Sequence, residues 1–464
     1  MIYKVPLPAF SILLVTLQTL LTSSSGQEHT LKKWGGNVLR GLTKSGGARS
    51  IAATSSLSSF NNNFFVGTQA IVDAGWKSYR IAPFADHEYS EPGYDMLTEF
   101  RESVAATGIN HFKFKLAPNN CESYKLSCTS SDLSSLTQLS QVPEIAATLA
   151  DPRFQWYHIW GYSFTLPKKL SEPFTAEQLD AEYNEVYEWT SYILQTYRDT
   201  GKVFFLGNWE GDWELMGASG CKSGSAYDFS CAPSQEIIDK YIKWTTTRQS
   251  AIDAAKRDIG AQGVNVYFYI EFTLAEENFA DDPTTPGVPR PTMLNSVVPH
   301  VNPDFLSYSS YKSTNTYMDH QSANFNLAKV DESFWSILDY AESRLAAKDT
   351  DLSMALGDLS RRVFIGEFSP VNSRDPSLFA SSCAEVIRAA LEWGCPFVLH
   401  WEVYDNYSSA VPLLPIGTAD INTFTPLRQL FKDWNDAATS HVEQNDPSPE
   451  EMRLWAVEWF RSRS

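Results

Sequence analysis

KVFFLGNWEGDWEL, residues 202–215, climbs through an almost wholly apolar run and breaks into polar residues around Glu210. RVFIGEFSP, residues 362–370, has the same form, with Glu367 directly after VFIG. Short, dense apolar runs of this kind read as strands buried on both faces, the pattern of a parallel sheet covered by helices. An acid where such a strand leaves the core is partly desolvated, which suits it to proton transfer or nucleophilic attack. The bland alternative is that each is one more surface acid among 55 acidic side chains. Glu367 resists that reading, because burying a charge after VFIG is costly unless it serves a purpose.

Working outward, eight such runs recur, mostly with helical patterns between them: KSYRIAPF (77–84), INHFKFKLAP (109–118), FQWYHIWGYS (154–163), KVFFLGNWE (202–210), VNVYFYIEF (264–272), DFLSYSSY (304–311), RVFIGEF (362–368) and CPFVLHWEVY (395–404). Alternating strands and helices predict an α/β fold, and eight units suit a closed (β/α)8 TIM barrel. Thr175 and Gln178 form a capping box before a helix with apolar positions at Leu179, Tyr183, Val186, Ile193 and Tyr197, ending near Gly201. Asp375-Pro376 reads as a helix start and Gly394 as its end. Six prolines in 281–303 leave room for a short helix at 292–298 and otherwise predict a long, substrate-facing loop. Residues 27–75 read as an N-terminal extension packed on the barrel, 76–437 as the barrel, and 438–464 as a C-terminal helical tail. In that tail a second capping box, Ser448 to Glu451, precedes Leu454, Trp455, Val457, Trp459 and Phe460, an apolar face expected to pack on the barrel.

Residues 1–26 have Lys4, an apolar stretch from Ile12 to Leu21 and small residues at 24–26, the makings of a secretory signal peptide. The expected location is extracellular, with no membrane span after the signal is removed. A net charge of −18 argues against nucleic acid or an anionic membrane surface as partner. Aromatic residues make up 13% of the chain, and flat aromatic faces grip sugar rings by apolar contact. Six cysteines fall into close pairs, Cys121 with Cys128, Cys221 with Cys231 and Cys383 with Cys395, which predict three local disulfides. There is no CxxC and no HExxH, so no zinc site is expected. Asn406 lies in a glycosylation sequon.

Glutamates at the ends of the fourth and seventh of eight strands resemble the active site of a large (β/α)8 clan of retaining glycosidases, which includes cellulases, mannanases and β-galactosidases. The likeness spans roughly 76–437 and rests on strand order and short motifs. It implies a carbohydrate substrate, no metal and no organic cofactor. It carries Glu367 over as nucleophile and Glu210 as acid/base, with carboxyls about 5–5.5 Å apart. It also implies a tyrosine after strand six on the nucleophile, Tyr308 or Tyr311, and a tryptophan floor after strand eight, Trp401.

One departure matters. The clan has adjacent Asn and Glu where this chain has Asn208-Trp209-Glu210. Strand alternation puts Asn208 and Glu210 on one face and Trp209 on the other. A bulge restores the usual placement; otherwise Glu214 is the proton donor and Glu210 a substrate ligand. Arg80 is the expected cation beside the nucleophile, or else half of a structural ion pair. His158 and Trp160 are candidates for the glycone site, and Trp209, Trp213 and Tyr404 for stacking platforms. Glu271 and Glu402 are competing strand-end acids, suited to sugar hydroxyls or to neutralising Arg80. Two further readings stay open: a lectin-like barrel without catalysis, and an inverting hydrolase with Glu271 as base.

Overall fold

The computed structural model describes residues 65–71, 95–166, 172, 174–223, 226–260, 262–318, 326–348, 361–369, 378–403 and 425–464. Eight parallel strands close into a barrel: β1 (Val66–Ala70), β2 (His111–Leu116), β3 (Trp156–Gly161), β4 (Lys202–Gly207), β5 (Val264–Phe272), β6 (Phe305–Ser309), β7 (Val363–Phe368) and β8 (Val398–His400). Each strand bonds to its sequence neighbours, and β8 closes on β1 through Val66 opposite Val398. The (β/α)8 architecture expected from the apolar runs is therefore the one observed.

Seven strands fall within the runs identified from sequence; the first does not. The barrel begins at Val66, inside the stretch read as an extension, and the 77–84 run with Arg80 lies outside the described residues. VGTQA escaped notice because three of its five residues are polar or lack a side chain, yet all five are buried. Gly67 is required there: a Cβ would sit 2.4 Å from Leu399 and 2.5 Å from His111.

Alternation sorts the strands into two cores. Outward-facing Phe112, Tyr157, Phe204 and Tyr308 pack towards the helices; Tyr308, for instance, stacks on Phe272 and lies against Phe334. Inward-facing His111, Trp156, His158, Phe205, Phe364 and Phe397 pile into an aromatic layer, with ring centroids 4.7 Å apart for His158 and Phe205 and 4.9 Å for Phe205 and Phe397. Above that layer the inward positions turn polar. That reversal is where the barrel stops being packing and becomes a site.

The surrounding helices include α1 (Met96–Ala105), α2 (Pro143–Ala150), α3 (Ala176–Thr196), α4 (Gln235–Ile259), α5 (Leu327–Ser343), α6 (Phe379–Trp393), α7 (Pro426–Asn445) and α8 (Pro449–Arg461). Both capping boxes form, at Thr175 of α3 and Ser448 of α8. Gly394 ends α6 in the left-handed region at φ 108°, which only glycine adopts without strain; the proposed start at Asp375 lies outside the described residues. Residues 281–303 are more ordered than a loop, with a small hairpin of Asp281–Asp282 and Thr285–Pro289 and a helical turn from Met293. The tail helix α8 buries Val457, Trp459 and Phe460, and Trp459 and Phe460 lie against Trp434 of α7; Leu454 is exposed.

Two disulfides form, Cys121–Cys128 and Cys221–Cys231. The third expected pair does not: Cys383 and Cys395 are free, buried thiols. Cys383 lies inside α6 and Cys395 just beyond its end. At 1.5 Å of rise per residue the helix alone separates them by about 15 Å, whereas a disulfide needs Cα atoms within about 7 Å. No helix among the described residues is long and apolar enough to cross a membrane. Residues 1–26, Tyr404 and Asn406 fall outside the described set.

Candidate active site

The polar layer is anchored by a bulge in β7. Register against β6 passes from Ile365 opposite Tyr308 to Glu367 opposite Ser309, so two residues of β7 meet one of β6. A bulge re-aims the side chain that follows it. Gly366 is pressed inward; a Cβ there would lie 1.7 Å from Ser307 Oγ and 3.0 Å from Glu271 Oε2. Glu367 is then held at the mouth, 3% exposed. Its Oε2 accepts from Tyr311 Oη at 2.8 Å and its Oε1 from Lys113 Nζ at 3.1 Å.

Lys113 comes from β2 and is fully buried. Besides Glu367 it donates to Glu271 Oε2 at 2.7 Å and to the Gly366 carbonyl at 3.1 Å. Ser307 Oγ also donates to Glu271 Oε2, at 2.7 Å. Burial opposes the charge on Lys113, but Glu271 and Glu367 outweigh it and hold the ammonium above its ordinary pKa.

Glu210 lies three residues past β4, 5% exposed, at the start of the short helix Gly211–Ala218. The expected shared face with Asn208 is not seen. Asn208 continues the outward parity of β4 and donates from Nδ2 to Tyr241 Oη of α4 at 2.6 Å. The chain turns between them, so alternation no longer applies at Glu210. The Trp209 amide donates to Tyr162 Oη at 3.2 Å, and its ring is half-buried against the core.

Electrostatics separate the two candidate acids. Burial raises Glu210 well above the usual carboxylate range, and the charges of Glu367 and Glu271 raise it further. Burial also raises Glu367, but Lys113 pulls back and it stops at about 7. Tyr311, also held neutral by burial, feels Glu367 first and Glu210 next. The three therefore lie within electrostatic reach of one another. Glu214, the other proposed donor, is raised to about 8 by burial and bonds with Tyr241, behind Asn208.

Aromatic walls complete the mouth. Trp160 lies under the Lys113 ammonium at 4.5 Å, and its ring faces Trp401 at 6.3 Å. The Trp401–Glu402 peptide is cis. Of the two tyrosines offered for the nucleophile, Tyr311 takes the place; Tyr308 points outward and bonds with Ser313. His158 is sealed in the aromatic layer and lines nothing accessible. Trp213 packs at a tilt against Tyr227, ring centroids 4.3 Å apart, rather than standing free. Lys113 was missed, although HFKFKL carried the signal: two lysines on the inward parity of a strand buried on both faces. Among the described residues no group of three or more His, Cys, Asp or Glu is placed to hold a metal ion.

No protein-family model matches the chain, and no curated protein matches it. Solved structures similar in fold include family 5 glycoside hydrolases. A GH5_18 protein from Bifidobacterium longum subsp. infantis is 10% identical with a TM-score of 0.48, over 80% of this chain and 78% of that one. GH5_18 from Streptomyces cattleya, solved with GlcNAc, is 13% identical with a TM-score of 0.48, over 83% and 81%. A lichenase from Caldicellulosiruptor sp. F32, solved with cellotetraose, is 12% identical with a TM-score of 0.46, over 85% and 98%. At these values the likeness concerns the fold alone.

Proposed function

We propose that this chain is a secreted glycoside hydrolase that cleaves O-glycosidic bonds by a retaining double displacement, with Glu367 as nucleophile and Glu210 as acid/base. The observation that supports the reading is the unequal environment of two buried acids, one just beyond β4 and one on β7, within electrostatic reach of each other. Neighbouring carboxyls whose pKa values are pushed apart divide into an acid and a base. Glu210, held protonated by burial, donates to the departing glycosidic oxygen. Glu367, oriented by Tyr311 and Lys113, attacks the anomeric carbon and forms a glycosyl ester. Glu210, now a carboxylate, takes a proton from water, which releases the sugar with its configuration retained. Trp160 and Trp401 offer apolar faces for the ring being cleaved. Secretion is supported by the apolar start of the chain and by the two disulfides.

The test is a panel of 4-nitrophenyl β-glycosides and oligosaccharides, with the first product's anomer read by proton NMR. Retention and a loss of about 10³-fold or more in Glu367→Gln are expected, since removing a nucleophile leaves only binding and positioning. Inversion, or hydrolysis surviving in Glu367→Gln, defeats the assignment. Binding of a glycan without turnover would favour the lectin-like alternative.

A further inference from the structure

Glu271 has no step in the scheme above, yet it is fully buried on β5 beneath the mouth. Its Oε2 accepts from both Lys113 and Ser307 at 2.7 Å, and its Oε1 has no hydrogen-bond partner among the described residues. Lys113 has three N–H bonds to give. Glu271, the Gly366 carbonyl and Glu367 take them, with Glu271 the nearest at 2.7 Å and Glu367 at 3.1 Å. The ammonium is saturated, and a second carboxylate shares it with the nucleophile.

We infer that Glu271 is a positioning residue that divides the charge of Lys113 and so sets the pH at which Glu367 becomes an ionised nucleophile. This rests on the reading of Glu367 as nucleophile. A carboxylate facing an undivided cation ionises about 1–3 units below its ordinary value. Glu367 does not; it stays near neutrality, raised by burial and by Glu271 against the pull of Lys113. The groups facing it are Lys113 from β2, Glu271 and Tyr269 from β5, Glu210 beyond β4 and Tyr311 beyond β6, with Glu402 beyond β8 acting on Tyr311. The tyrosines stay neutral, Glu210 is held protonated and Lys113 stays charged through the working range, so Glu271 is the neighbour whose charge offsets Lys113 at Glu367. Glu271 therefore acts on the acid limb only through Glu367, beside the larger effect of burial.

The experiment uses Glu271→Gln, whose amide oxygen still accepts from Lys113 and Ser307. One readout is the pH profile of kcat/KM on the 4-nitrophenyl β-glycoside that the wild type cleaves fastest. The second needs no substrate: the effect of Glu367→Gln on melting temperature against pH, with and without Glu271→Gln, which follows proton uptake by Glu367. The acid limb and the thermal midpoint should both move down by about one pH unit or more. A second variant, Lys113→Met with Glu271→Gln, removes both buried charges; because Lys113 acts on Glu367 more strongly than Glu271 does and also donates to it, the acid limb should lie above wild type, but below that of Lys113→Met alone. If Glu271→Gln lowers activity equally at every pH, or if Lys113→Met moves the limb no further than the double variant does, the charge is not divided and the inference fails. Failure of this kind leaves the nucleophile standing, provided Glu367→Gln is inactive; an active Glu367→Gln removes both.

Discussion

Glu367 can attack only after it has lost its proton, and Glu210 can donate only while it keeps one. With Glu367 near 7 and Glu210 held well above the usual carboxylate range by burial, kcat/KM should be bell-shaped. The limbs report the pair rather than either residue alone. Activity should fall below about pH 7 as the nucleophile is protonated, and fall again in alkali as the donor ionises. Tyr311→Phe removes one charge-assisted hydrogen bond from Glu367, worth about 1.5–3 kcal/mol. That corresponds to a loss in kcat of about 10- to 100-fold, measurable on the same substrate. Stability should move the other way. Glu210 keeps its proton in the fold at a pH where the unfolded chain has shed it, so its contribution to stability falls as pH rises through its folded pKa. Glu210→Gln should therefore resist urea better than wild type, by about 1–2 kcal/mol, with the gap wider at pH 8 than at pH 5. At this scale sequence revealed the acids, since a glutamate closing an apolar run stands out. It could not reveal Lys113 as their partner, because a contact between residues 113 and 367 exists only once the barrel closes. Nor could parity place Glu210, because the chain leaves the strand before reaching it.

The β7 bulge is the element on which the site turns. Gly366→Ala would drive a methyl group into Ser307 and towards Glu271, so Glu367 must shift or β7 must move. Overpacking of this kind costs about 1–3 kcal/mol, and circular dichroism melts alongside activity should show activity lost beyond what stability explains. The α3 capping box gives a contrasting control. Thr175→Ala should cost about 1 kcal/mol in a urea melt and leave kcat unchanged, because the cap lies at an exposed helix start. Elements with a strong local signature were legible: both capping boxes, the Gly394 stop and VNVYFYIEF, whose bounds match β5 residue for residue. The first strand was not, since VGTQA is buried by its neighbours rather than by its own hydrophobicity.

For the molecule as a whole, the thiol count tests the arrangement of helices. Ellman's reagent should find no reactive thiol in the native protein, two after unfolding without reductant, and six after reduction. The Cys383 and Cys395 pairing was refutable from sequence, because the same reading that placed a helix ending at Gly394 had already spaced the two sulfurs too far apart. Closure of the ring was predicted by counting strands, although the count reached eight with one wrong member. The saturated ammonium at position 113 has a consequence for descent. Losing Lys113 alone strands two acids in the interior, and losing Glu271 alone retunes the nucleophile, so neither position is free to drift. Across an alignment of kindred sequences, 113 and 271 should vary as a couple, exchanged together for an uncharged duo or kept together, with mixed states rare.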